Sequence, residues 1–238
     1  MLVVQQALET VILHEMIQML RAGTVNPMIP KAEKVIFVGH SIGSVTGNGV
    51  ALKYPDTAFD AAILTGYTNT VAQAAVGLLT DLIEPASLAD PARFGDLPPA
   101  YLTFGSEVGK RNTYYGDDGS FDAGLPAWDV FNTQGTLTVG ELVSILSGLQ
   151  MAKQYTGDVF VLTGEADALF CGIGTRLGNE PSCGAGDTSL PARSKDFWPA
   201  ARSYEYYIPP HAGHSVTLHS DAQDQFSRVH QFLAQQGY

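Results

Sequence analysis

Apolar residues near the start of the chain recur at spacings of three and four: Val4, Ala7, Leu8, Val11, Ile12, Met16 and Met19. Gln5, Gln6, Glu9, His14, Glu15 and Gln18 lie between them, and the pattern predicts an amphipathic helix within Leu2 to Leu20. After a breaker-rich loop from Gly23 to Pro30 the rhythm changes. Lys34 to Gly39 is a nearly continuous apolar run, and Ala61 to Thr65, Asp158 to Thr163 and Tyr204 to Ile208 are further short runs. Such runs suit strands buried on both faces of a parallel sheet. Helices are expected from Gly43 to Tyr54, stopped by Pro55, and from Asp221 to Gln235, with Phe226, Val229, His230 and Leu233 on one face. Strands alternating with helices predict an α/β fold, a mostly parallel sheet flanked by helices.

The alternation is interrupted once. Residues 67–156 hold two helical stretches, Thr70 to Ile83 and Val139 to Tyr155, around a Gly-rich middle that carries Tyr101, Phe104, Tyr114, Tyr115, Phe121, Trp128 and Phe131. An insertion after a strand's C-terminal end lies over the sheet edge where α/β proteins bind ligands. The expected division is a core of residues 1–66 and 157–238 with a helical cap over 67–156.

Composition narrows the function. The chain has 238 residues, 45% of them hydrophobic and 16% charged, too apolar for disorder. Against 24 Asp and Glu stand 13 Lys and Arg, a net charge of −11. That balance argues against nucleic acid as a partner and against a polybasic membrane anchor. No apolar run approaches the roughly 20 residues a membrane span needs. No basic leader or small-residue cleavage pattern marks a secretory signal. The two cysteines, Cys171 and Cys183, cannot form a zinc site alone. A disulfide is the preferred reading and a pair of free thiols the alternative; oxidised, the loop would contribute up to about 3 kcal/mol and imply an oxidising compartment. No cofactor or metal site is expected. Gly172 to Gly178 has the wrong spacing for a dinucleotide loop, and Asp117-Asp118-Gly119 lacks the alternating ligands of a calcium loop.

The residues able to do chemistry follow strand ends. Gly39-His40-Ser41-Ile42-Gly43 fits G-x-S-x-G, closing one apolar run and opening a helix, the setting of a nucleophile elbow. There Ser41 would be strained and exposed, both glycines would let the backbone fold tightly, and the Ile42 N–H would face a developing oxyanion. A serine nucleophile needs a base, and the base an orienting acid. Asp167, in the loop after Thr163, is preferred as the acid, with Glu165 in reserve. His214, after Gly213, is preferred over His211 as the base. His40 is expected to line the site, His219 to sit in the first turn of the last helix, and His14 and His230 to be structural.

With Ser, Asp and His on successive strand-end loops in that order, the sequence resembles the α/β-hydrolase superfamily, in particular its capped ester hydrolases and some fungal members. The resemblance runs over residues 2–238 and is strongest at Val35 to Ser44, Leu162 to Asp167 and Gly213 to His214. It implies Ser41 as nucleophile, Asp167 as acid and His214 as general base. Serine at position 41 argues against the dehalogenase and epoxide-hydrolase branches, which use a carboxylate there. The chain departs from the family in one respect. Only a helix and a loop precede the elbow strand, so the strands and the loop that supply a second oxyanion donor have no counterpart. The run Val35 to Val38 is therefore expected at a sheet edge, open to pairing with another chain, and a start further upstream is the expected explanation. The implied function is hydrolysis of small to medium hydrophobic carboxylic esters through an acyl-enzyme. A catalytically impaired or non-catalytic member of the same fold, an acyltransferase and a peptidase stay open beside it, and the oligomeric state is not legible.

Overall fold

The structure, a computed structural model, describes residues 3–70, 83–172 and 183–238. The expected helix within 70–83 and the Gly172 to Gly178 segment fall almost wholly outside these residues. Helix α1 (Gln6–Ala22) ends at Gly23, whose left-handed backbone (φ 72°) returns its N–H to Met19 and Leu20. Strand β1 (Ile36–His40), helix α2 (Ile42–Lys53) and strand β2 (Ala61–Thr65) follow. Then come three short strands, β3 (Ile83–Pro85), β4 (Tyr101–Phe104) and β5 (Leu137–Thr138). Strands β6 (Asp158–Leu162) and β7 (Ser203–Tyr207) follow, and the last helix is Ala222–Gln235.

The main sheet is parallel throughout, in the order β1-β2-β6-β7. Every residue of the two central strands is buried, which explains their unbroken apolar runs. One face packs Val45, Val50 and Ala51 of α2 with Phe59, Tyr155 and Trp198; the other packs Ile63, Phe160 and Leu162 against Val216 and Phe232. Each fully buried aliphatic or aromatic side chain of this kind contributes about 1.5–3 kcal/mol. Strand β1 is the sheet edge, as the sequence implies, with Val38 65% and Ile36 39% exposed.

Three local readings change. Helix α1 does not bury the apolar stripe that predicts it: Leu8, Ile12, Met16 and Met19 are exposed, and Gln6, Thr10 and Ile17 face inward. The reason is close approach to α2, where Gly49 leaves room for the Thr10 hydroxyl and Gln6 hydrogen-bonds Thr46. The expected helix Val139 to Tyr155 stops at Ser144 and tightens to a 3₁₀ turn over Ile145–Ser147. Gly148 must then pass against Gln6 and Val45, where a helix carrying side chains would clash. Finally, the segment between β2 and β6 holds an antiparallel sheet, β3-β4-β5, beside its helices. Its strands have two to four residues, too few to show alternation. No described helix is long and apolar enough to cross a membrane.

Candidate active site

Ser41 occupies the turn between β1 and α2 with φ 55° and ψ −123°, a left-handed conformation that costs a non-glycine residue about 1–3 kcal/mol and concentrates at functional sites. The surroundings over-determine it. The Ser41 N–H donates to the Thr65 carbonyl at 2.9 Å, and the Ser44 hydroxyl donates to the same carbonyl at 2.9 Å. Gly39 is indispensable to the bend, because a Cβ there would lie 2.8 Å from the Ser44 nitrogen. Gly43 is not: a Cβ at that position would meet nothing within 4 Å, which corrects the expectation that both glycines serve close packing. The first amides of α2, beginning with Ile42, have no acceptor within the helix.

Asp167 and His214 are brought together. Both are fully buried, with Asp167 Oδ2 2.8 Å from His214 Nδ1. The other carboxylate oxygen accepts the Leu169 and Phe170 N–H groups, each at 2.9 Å, so the carboxylate is fixed before it fixes the imidazole. Three rings surround His214: Phe170 stacked at 5.7 Å, Tyr114 edge-on at 5.2 Å and His40 tilted at 4.7 Å. Its Nε2 is buried without a hydrogen-bond partner, and the Ser41 hydroxyl makes no bond to it in this structure. In ligand-free sites such contacts are often long and tighten only with substrate.

The other sequence candidates have different work. Glu165 accepts the His211 N–H at 3.0 Å, and exposed His211 pairs with Asp117 at 2.8 Å. Asp118 pairs with Arg111, so this acidic turn is tied into ion pairs. His219 is not in the last helix but in the turn before it. Its Nδ1 lies 3.0 Å from the Ser215 carbonyl, and its Nε2 accepts the N–H groups of Gly116 and Gly213, each at 3.0 Å. It therefore clamps the loop carrying His214. His14 stacks on Tyr54 and hydrogen-bonds Thr57, and His230 is exposed on the final helix. His40 hydrogen-bonds Thr65, and desolvation followed by the neighbouring His214 lowers its pKa. Cys171 and Cys183 form a disulfide, their Cα atoms 4.7 Å apart. The Cys171 N–H donates to the Asp167 carbonyl, so the bridge braces the loop that carries Asp167.

One residue of the site carries no motif. Gly66, at the end of β2, has φ +54°, and a Cβ there would lie 2.7 Å from His214 Cε1 and 3.0 Å from the His40 ring. It is the floor on which both imidazoles rest.

Ser41, Ile42 and Gly43 open onto a cavity of about 420 Å³ at the C-terminal end of β1. Across it stand residues of the segment between β2 and β6: Phe104, Lys110, Tyr114, Gln134 and Leu137. Lys110 is nearly buried, 3.4 Å from Asp129 and 3.9 Å from the centre of the Tyr114 ring. Burial lowers its pKa while Asp129 raises it, for a net decrease.

No family model and no curated protein matches the chain. Solved structures do. A monoacylglycerol lipase from Paleococcus ferrophilus superposes with a TM-score of 0.59 at 13% identity, covering 97% of this chain and 75% of that one. A bromoperoxidase from Bacillus anthracis gives 0.55 at 11% identity, covering 95% and 72%. A putative non-heme bromoperoxidase from Mycobacterium tuberculosis gives 0.51 at 12% identity, covering 94% and 72%. At such identities the likeness speaks for the fold and leaves substrate and reaction to the site itself. On this sheet, this order of elements and these neighbours, the chain has the α/β-hydrolase fold.

Proposed function

We propose that the protein is a serine hydrolase of carboxylic esters, with Ser41 as nucleophile, His214 as general base and Asp167 as the orienting acid. The observation that carries this reading is the buried Asp167–His214 pair at 2.8 Å, whose outward nitrogen lacks a partner. Asp167 accepts the Nδ1–H, which leaves Nε2 as the proton acceptor. The donor it calls for is the Ser41 hydroxyl on its left-handed turn.

In this mechanism His214 takes the Ser41 proton as the oxygen attacks the ester carbonyl. The Ile42 N–H stabilises the oxyanion, and His214 returns the proton to the departing alkoxide. Water then repeats the sequence on the acyl-enzyme and releases the acid. The segment between β2 and β6 acts as the cap. Phe104, Tyr114 and Leu137 supply the apolar wall for a small ester, and a cavity of about 420 Å³ holds a ligand of modest size.

Turnover of p-nitrophenyl butyrate by the full chain tests the proposal. Wild type is expected to hydrolyse the ester and Ser41→Ala to fall to the rate of buffer. Equal rates in the two proteins would refute it.

A further inference from the structure

His219 is a buried titratable group that the mechanism leaves unused, 4% exposed in the turn before the final helix. Beside it two segments distant in the chain run backbone to backbone. The Ser215 N–H donates to the Tyr114 carbonyl at 2.8 Å, and the Asp117 N–H to the His211 carbonyl at 3.0 Å. Between these bonds lie Gly116 and Gly213. A Cβ on Gly213 would come 2.5 Å from the Gly116 nitrogen, and one on Gly116 would come 2.6 Å from the Gly213 nitrogen. Both glycine N–H groups donate to one acceptor, His219 Nε2, each at 3.0 Å. Nδ1 lies 3.0 Å from the Ser215 carbonyl, which can only accept, so Nδ1 carries the proton and Nε2 is bare. The two glycines border the base on both sides. His214 follows Gly213, and Tyr114, two residues before Gly116, packs edge-on against the His214 ring at 5.2 Å.

We propose that neutral His219 is a positioning residue for catalysis: it aligns His214 by joining the loop before it to the segment between β2 and β6, and its protonation releases that alignment. A proton on Nε2 turns the acceptor into a donor facing two other donors, and both buried N–H groups lose their partner. Burial opposes that proton most strongly and holds the His219 pKa below 6.5; the Ser215 carbonyl, Asp221 and the Val216 carbonyl raise it, and Arg111 lowers it. Tyr115 and Phe121 pack against the ring. The Tyr115 hydroxyl lies 3.2 Å from Asp129 and its pKa is raised, so it stays neutral beside His219. The clamp is therefore intact above the lowered pKa of His219 and is lost as pH falls through it. On the acid side the site then fails twice, through a proton on His214 and through a proton on His219.

His219 has this role only if the ester-hydrolase reading holds, and two measurements keep the questions apart. The first is the pH profile of p-nitrophenyl butyrate hydrolysis. In wild type, log kcat/KM should fall on the acid side with a slope of about two, one proton for each histidine. His219→Gln offers an amide oxygen to both glycines and does not titrate. It should keep kcat within about threefold of wild type and show an acid slope of about one. His219→Phe keeps a ring against Tyr115 and Phe121 but accepts nothing, and should lose about 10–10²-fold in kcat with little change in KM. A wild-type slope of about one, a slope of about two that survives in His219→Gln, or full kcat in a folded His219→Phe chain overturns the proposal. If His219→Phe does not fold, the His219→Gln profile decides. The second measurement is an NMR titration of the His214 ring, which needs no turnover. Its shifts should follow the titration of His219 in wild type and lose that step in His219→Gln; a His214 ring indifferent to His219 overturns the alignment. A chain that hydrolyses no ester but shows the coupled step would sink the ester-hydrolase reading and leave the clamp standing.

Discussion

Gly66→Ala isolates the positioning of the imidazole from every other property of the site. The substitution has two costs, and the structure separates them. The first is backbone: at φ +54° an alanine is strained, by about 1 kcal/mol of stability. The second is steric. The new methyl would lie 2.7 Å from His214 Cε1 and 2.9 Å from its Nδ1, short of ordinary contact by about 0.7 Å. His214 cannot give way freely, since Asp167 holds one side and Phe170 and Tyr114 pack around it. A displacement approaching 1 Å at a reacting group lowers the rate by about 10²-fold. Gly186→Ala is the matched control, with φ +55° and nothing within 4 Å of the new methyl. Both variants should lose the backbone share of stability in urea melts, and Gly66→Ala a further amount of about 1–3 kcal/mol from overpacking against His214. Only Gly66→Ala should lose kcat on p-nitrophenyl butyrate, by about 10–10²-fold. A folded Gly66→Ala chain with kcat within about twofold of Gly186→Ala would refute the placement of His214 as the base.

Two further outcomes follow from the loops that carry Asp167 and His214. Replacing Cys171 and Cys183 together by alanine opens a loop spanning 12 positions and should cost up to about 3 kcal/mol in a denaturant melt; an unchanged midpoint would contradict a bridge in the folded protein. His211 has its pKa raised, first by its hydrogen bond to Asp117 and further by the charges of Asp117, Glu165 and Asp221. The pair therefore helps hold the loop below the ordinary histidine pKa and is lost as pH rises through the elevated value. An NMR titration should show His211 with a higher pKa in wild type than in Asp117→Asn, and equal values would dismiss the tie.

The parts of the fold legible in the sequence are those whose physics is local or repetitive. β2 and β6 are buried on both faces, so their apolar runs mark them within a residue or two. Gly39 to Gly43 is legible because a strand, a sharp bend and a helix follow one another there. Of the candidate acids and bases, the structure buries Asp167 and His214 2.8 Å apart and leaves His211 exposed, a difference set by packing that distance from a strand end does not encode. What stayed hidden depends on partners distant in the chain. Nothing near Gly66 tells that two imidazoles rest on it, and nothing near His219 tells that Gly116 lies within reach. The apolar stripe of α1 misleads because α2 offers it Gly49 and the Thr46 hydroxyl in place of an apolar face. β3 to β5 are too short for any periodicity to register.

The account stands on one hydroxyl being made nucleophilic by one histidine, and covalent capture reads that directly. Incubating the folded, monodisperse chain with a fluorophosphonate and mapping its peptides should give one phosphonyl adduct, on Ser41, formed far more slowly in His214→Ala. A folded chain that stays unlabelled, or carries the adduct on another residue, would contradict it.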